Sequence, residues 1–232
     1  MREIVLDTET TGLDPASGHR IVEIGAVEVL NQAPTGKTFH VLINPERDVP
    51  EDAVRVHGHT TALLRDKPVF AGIVDALVAF VADAQIVIHN AEFDVRFLNS
   101  ELERLGRDPI DPSRVVDTLA LARRRHPGQP NNLDALCDRY RVDRSRRVRH
   151  GALLDAEILV EVYCELTGGR QGSLSLEDAL TATGPIIALT SAVAARAIRA
   201  PSIRANEVAA HAEHVKALGE GAIWLRYGLA PA

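Results

Sequence analysis

Cysteine is nearly absent: Cys137 and Cys164 are the only two in 232 residues. They form no CxxC pair and no disulfide framework, and their wide separation in helix-like segments predicts two reduced packing residues. Long apolar runs are missing too. No stretch reaches the ~20 apolar residues of a membrane span, and the start, Met1-Arg2-Glu3-Ile4, has neither the basic head nor the apolar stretch of a secretion signal. A cytoplasmic location with no membrane partner is expected. Basic charge is also in deficit, with 26 Lys and Arg against 32 Asp and Glu, a net −6. A polyanion gripped by broad electrostatics calls for the opposite balance, so any hold on nucleic acid has to be local or metal-mediated. One local source exists. Between Arg123 and Arg149 nine arginines face three aspartates, Asp134, Asp138 and Asp143, a pattern that by itself describes a solvated face and loop.

What is present is a strongly periodic first part, 46% apolar chain overall, long enough to bury a sizeable core. Ile4-Leu6, Ile21-Leu30 and Phe39-Ile43 read as strands joined by turns, with two more at Ile86-His89 and Val115-Val116. Helical periodicity falls near 69–82, 91–105, 117–125, 132–139 and 151–167. That order predicts an α/β fold, a hairpin-like start followed by alternating units. After Gly169 the texture changes. Residues 177–232 are Ala-rich, hold five basic and five acidic side chains, and contain Pro185 and Pro201. The expected organisation is a domain over 1–169, a linker over 170–205 and a terminal element over 206–232.

The chemistry begins in "IVLDTETTGL". Strand side chains alternate, so Asp7 and Glu9 share one face, where two anions repel unless a cation sits between them. Two further acids fall on core-facing stripes. Asp155 lies in register with Ala152, Leu159, Val162 and Leu166, and Asp94 with Leu98, Leu102 and Leu105. Buried carboxylates should not be left unpaired. Four acids converging at one edge of a sheet form an all-oxygen donor set suited to Mg²⁺ or Mn²⁺. His57 and His59, in "VHGH", lack the cysteine partners of a zinc site.

"DTETTG", "HNAEFDVRF" and "HGALLDAEIL", in this order and spacing, resemble the three motifs of the DEDDh 3′→5′ exonucleases, and the likeness runs through residues 3–169, including "NNLDALCDRY". Within that family the chain is most similar to the proofreading subunits of bacterial replicative polymerases. The resemblance implies an RNase H-like fold with a mixed five-stranded sheet, and hydrolysis of DNA 3′ ends with two divalent ions. It implies that Asp7, Glu9, Asp94 and Asp155 are the acidic quartet that holds metal, with Asp7, Glu9 and Asp155 also contacting substrate, and that His150 is the histidine of the subclass. Asp7 is then expected to bridge the two ions, with Glu9 and Asp155 completing one site, Asp94 supporting the other and His150 acting as general base. Thr10, Thr11, Gly12 and Leu13 are expected to hold the terminal nucleotide through free backbone N–H groups and the leucine side chain. His57 resembles a substrate-contacting family histidine, and Asp52 matches an acidic position five residues earlier. The same motifs also serve RNases, and a subunit acting chiefly as a scaffold is a further alternative.

Beyond the domain, Gln171, Leu174 and Leu176 in "QGSLSL" resemble the peptide by which replication proteins dock on the sliding clamp. Residues 185–198 are apolar but too short to span a bilayer. Residues 206–218 can form a short amphipathic helix with Val208, His211, Ala212 and Val215 on one side. With Trp224 this segment resembles a tail that binds the polymerase subunit, so a flexible tail and two protein partners are expected.

Overall fold

Strand β1 (Arg2–Thr10) is central to a five-stranded mixed sheet in a computed structural model that describes residues 1–145, 147, 150–168 and 205–218. β2 (Ile21–Leu30) pairs antiparallel with β1, and β3 (Ala33–Leu42) antiparallel with β2. On the other side of β1, β4 (Gln85–Ile88) and β5 (Val115–Asp117) run parallel to it, giving the order β3-β2-β1-β4-β5. The α/β class and the strand count match the expectation.

Alternation along β1 sorts the core into two layers. Ile4 and Leu6 join Ile24, Ile86, Ile88, Phe97 and Leu98 on one face, beneath α3 (Phe70–Val81) and α4 (Ala91–Arg104). Val5 joins Val27, Val87, Ala156 and Leu159 on the other, beneath α7 (Ala152–Leu166). Burying each such side chain contributes roughly 1.5–3 kcal/mol against the ordering of the chain. α5 (Thr118–Arg125) and α6 (Leu133–Tyr140) pack beside α7 through Ala122, Leu136, Cys137 and Val162. Both cysteines are buried, neither in a disulfide, and burial pushes the Cys137 thiol up to about 11.

The helix boundaries follow their caps. Asn132 accepts from Ala135 N–H at the start of α6, and Asp117 accepts from Leu119 N–H at the start of α5. α7 begins at Gly151 with no side-chain cap of its own. It lies close on the sheet because its neighbour there is Gly25: a Cβ at that position would meet the backbone of Ala152 and Leu153 at 2.1–2.3 Å. Gly25 is paired across the sheet with Asp7, so the missing side chain brings the start of α7 down beside the acids.

Three expectations need adjusting. β1 runs through to Thr10, so Asp7 and Glu9 lie within the strand and are held by its pairing with β2, where the apolar run alone suggested a strand ending at Leu6. β3 starts at Ala33, six residues before the predicted start; its first part is an exposed edge whose polar residues carry no buried-strand signal. The segment around His57 is helical: α1 (Glu51–His57) and α2 (Thr61–Leu64) are too short for a periodic pattern to mark them.

A separate helix, α8 (Ala205–Ala217), coincides with the expected terminal amphipathic segment. Val215 is buried on it, whereas Val208 is 54% exposed. The clamp-like residues Gln171, Leu174 and Leu176, Trp224 and the body of the 170–205 linker lie outside the described residues. Among the described residues no helix is long and apolar enough to cross a membrane.

Candidate active site

Three elements deliver the four acids to one cleft of about 840 Å³ at the carboxyl end of β1. Asp7 and Glu9 come from β1, Asp94 from the first turn of α4 and Asp155 from the first turn of α7. His150 lines the same cleft from the loop before α7. Ligand atoms of Glu9, His150 and Asp155 lie within 4.8 Å of one another. The convergence predicted for these five residues is present.

Each acid is held differently. Asp94 is buried, and its Oδ1 accepts from Thr8 N–H at 3.0 Å and from Thr8 Oγ1 at 2.6 Å, which ties α4 to β1. Asp155 is buried against Arg147, whose NH2 group donates to Oδ2 at 2.8 Å, while Nε stands 2.5 Å from Oδ1 without the alignment of a hydrogen bond. His150 is exposed, and its Nδ1 lies 3.1 Å from Asp155 Oδ2 and 2.6 Å from the Arg147 guanidinium. Those two neighbours act on Nδ1 in opposite senses. A proton on Nδ1 suits the carboxylate and leaves Nε2 as the basic nitrogen, whereas Arg147 suits a bare Nδ1.

The electrostatics are those of charges crowded away from water. Burial, then Asp94, Glu9 and Asp155, raise the Asp7 carboxyl well above the usual range, with Arg147 opposing. Burial, then Asp155, Glu23 and Asp94, push Glu9 up to about 8. Burial pushes Asp94 up to about 7 despite the Thr8 hydrogen bonds. Anions that raise one another in this way are neutralised by protons or by a cation. Carboxylate oxygens with one imidazole are the hard donor set a divalent ion takes, so the residues fit such a group.

A second cleft of about 580 Å³ adjoins the first, the two sharing Thr8, Glu9 and Phe93. It contains the other predicted substrate residues: Thr10 to Leu13, Asp52 and His57. Their local roles differ from the expectation in part. Thr11 N–H is already donated to the Arg20 carbonyl, and the Thr10 hydroxyl to the Gly12 carbonyl, so this turn is braced internally. The space above Gly12 is filled by the His19 ring, 2.3–2.6 Å from where a Cβ would stand, so the glycine is needed for packing against that ring. Leu13 is 80% exposed, an apolar side chain presented to solvent at the cleft. Asp52 is exposed on the first turn of α1 and pairs with Arg55.

His57 is buried, and its Nδ1 accepts the backbone N–H of His59 at 3.0 Å. The proton of a neutral ring is therefore on Nε2, which is enclosed beside the Thr10 backbone. Burial and then the neighbouring His59 lower His57 to about 4, so it is neutral at ordinary pH.

Several cleft residues were not singled out from sequence. Arg147 was one of many arginines in "RSRRVRH", and only the fold shows it bonded to both Asp134, at 2.6 Å, and Asp155. The rest of the basic run is partly spent internally: Arg144 pairs with Asp134 and Asp138, and Arg125 donates to carbonyls at the end of α7. His89, Arg123 and Asn131 also line the cleft. His89 stands within the motif that contains Asp94, which was the available signal for it.

A family model described as Exonuclease (RNase_T) matches residues 4–163. Among curated proteins, the DNA polymerase III subunit epsilon of Rickettsia felis is 55% identical over 77% of this chain and 79% of its own length. The subunit of the same name from Escherichia coli K12 is 49% identical, over 73% and 72%. Among solved structures, exonuclease X in complex with 5′-overhanging duplex DNA aligns with a TM-score of 0.55 at 25% identity, covering 71% of this chain and 90% of that one. Exonuclease I aligns with a TM-score of 0.62 at 18% identity, covering 72% and 40%, a likeness of fold.

Proposed function

The chain belongs to the exonuclease family, and on that premise we propose that it is the proofreading 3′→5′ exonuclease subunit of a bacterial DNA polymerase III. The observation that supports this reading above the others is the meeting of four carboxylates from β1, α4 and α7 in one cleft, Asp7 and Glu9 pushed upward by burial and by neighbouring acids and Asp94 by burial.

Asp7, Glu9, Asp94 and Asp155 would hold two divalent ions, Mg²⁺ or Mn²⁺. Bound there, such ions supply the charge stabilisation that phosphodiester hydrolysis needs at the attacking and leaving oxygens. The protein's own groups do the rest. His150, exposed at the cleft mouth, takes a proton from water at Nε2 when Nδ1–H is held by Asp155 Oδ2. His57 forms part of the wall against the terminal nucleotide, Leu13 presents an apolar surface to its base, and the Thr10–Gly12 turn shapes the same wall. Asp52 stands at the rim. A mispaired 3′ end costs less to unstack and enter a cleft of this size, which makes removal selective.

The substrate is DNA with a single-stranded or frayed 3′ end. Residues 1–169 form the nuclease domain, 170–205 a linker and 206–232 the element that binds the polymerase subunit, using α8, the exposed Val208 and Trp224. Gln171, Leu174 and Leu176 dock on the sliding clamp. A chain of net charge −6 dwells poorly on DNA, so two weak tethers raise its effective concentration at the primer end.

The test compares mismatched-primer DNA, paired-primer DNA and single-stranded RNA as substrates for wild type and Asp7→Ala. Mismatched primer should shorten fastest, from its 3′ end, and chelator or Asp7→Ala should abolish cutting. Chelator-resistant cutting or attack from the 5′ end contradicts the assignment, and faster loss of RNA contradicts the substrate.

A further inference from the structure

A carboxylate outside the acid quartet ties together the two walls of the cleft. Glu23, on β2, is 4% exposed and sits directly across the sheet from Glu9. It is fully engaged. His40 Nε2 lies 2.8 Å from Oε1, His59 Nε2 lies 2.7 Å from Oε2, and the Ala152 N–H at the start of α7 also donates to this carboxylate. Burial would raise Glu23, but the bonds from His59, His40 and Ala152 outweigh it, and the group is held below its ordinary range.

These bonds form a closed circuit. His59 follows the end of α1, and its ring stacks on His57, centroids 4.9 Å apart and planes 25° from parallel. Its backbone N–H is the group that fixes the His57 tautomer. The Val56 carbonyl in α1 accepts the His150 N–H at 3.3 Å. Thus Glu23 holds the start of α7 on one side and the His57–His59 turn on the other, while the ends of those two segments bond directly to each other. The enclosed His57 Nε2 has the Thr10 backbone beside it, which favours a proton there as well. Its orientation comes from the stack and from the His59 N–H.

We propose that Glu23 and His59 are positioning residues that hold the His57 ring in the wall of the cleft, so that grip on the terminal nucleotide depends on a carboxylate that does not itself line the cleft. This rests on the reading of His57 as a substrate contact. The chemistry is a short relay: the Glu23 carboxylate accepts from the His59 ring, the His59 ring packs the His57 ring, and the His59 backbone keeps the His57 proton on Nε2. No proton moves along it.

The test uses the full chain with His59→Ala, His59→Gln and His57→Ala. Loss of one oriented hydrogen bond predicts that His59→Ala raises KM for a short single-stranded oligonucleotide about fivefold to tenfold with little change in kcat. His59→Gln, whose amide N–H can reach Glu23, should recover most of that loss. Long-range ¹H–¹⁵N correlation spectra of histidine-labelled protein should show His57 in the Nε2–H form in both wild type and His59→Ala, because the His59 backbone N–H survives the substitution. Manganese affinity measured by titration should be unchanged. A raised KM in His57→Ala with wild-type KM in His59→Ala overturns the relay. An unchanged KM in His57→Ala overturns the substrate reading beneath it, whatever the spectra show.

Discussion

Buried carboxylates occur in two kinds of surroundings in this protein, and Glu23 and Glu9, paired across β2 and β1, are one of each. Glu23 and Glu101 are each enclosed and each answered: Glu23 by two histidines and a backbone N–H, Glu101 by a two-pronged contact with Arg20 at 2.6 and 2.8 Å. Asp7 and Glu9 are enclosed beside other acids, and the cation that opposes them both is Arg147, already bonded to Asp155 and Asp134. The first kind lets a buried charge serve the fold. The second leaves negative charge unbalanced, which costs stability unless an ion or protons restore it. A site of action is recognisable here as the place where the pairing rule is broken in a group.

Substitution in each kind should therefore give opposite results. Asp7→Asn should remove at least ~10³-fold of the nuclease activity, because an amide cannot replace a charged ligand, yet raise the melting temperature of the metal-free protein at pH 8 by relieving repulsion. A lower melting temperature in that variant would place Asp7 with the structural acids. Asp155→Ala should lose activity to a similar degree without that gain, since Arg147 would be left without its buried partner. Next in size, His150→Ala should lower turnover by ~10²–10⁴-fold with manganese affinity close to wild type. Equal loss of metal binding in His150→Ala and Asp155→Ala would make the histidine a ligand.

Glu101→Gln supplies the opposite arm. Breaking a mostly enclosed pair leaves Arg20 with only its longer 3.5 Å contact to the exposed Glu46 and should cost about 2–4 kcal/mol of stability, read by urea titration, while the rate per folded molecule stays near wild type. The smallest effect is on the pH profile. Asp7, Glu9 and Asp94 have folded values above their ordinary ones, so the stability they allow is complete at low pH and is lost as pH rises through the folded values, about 7 for Asp94 and about 8 for Glu9. Metal-free protein should thus melt lower at pH 8.5 than at pH 6, Asp7→Asn should flatten that slope, and magnesium should reverse it. A slope identical in wild type and Asp7→Asn would contradict the raised values.

The acids were legible in the sequence because periodicity places them: a two-residue step puts Asp7 and Glu9 on one strand face, and helical steps put Asp94 and Asp155 on buried stripes. The five strands and the main helices were legible for the same reason. What periodicity cannot supply is the partner across the fold. Arg147 meets Asp155 only because α7 comes down on Gly25, and Glu23 reads as a polar interruption in an apolar strand until His40, His59 and Ala152 surround it. The Thr10–Gly12 turn was read as open to ligand, whereas its Thr11 N–H and Thr10 hydroxyl bond within the protein, a feature set by the return of the chain at Arg20. Short α1 and α2 escaped for want of length.

The central claim is that the quartet is unbalanced until an ion arrives. With Glu9 near 8 and Asp94 near 7, the metal-free site retains protons at neutral pH, and a divalent ion must expel them on binding. Titration calorimetry with manganese at pH 7, repeated in buffers of different ionisation heat, counts those protons directly. Net release of roughly one proton or more per protein molecule is expected, shrinking as pH rises above 8. Binding with no proton release at pH 7 would mean that the carboxylates are already charged and balanced, and would contradict it.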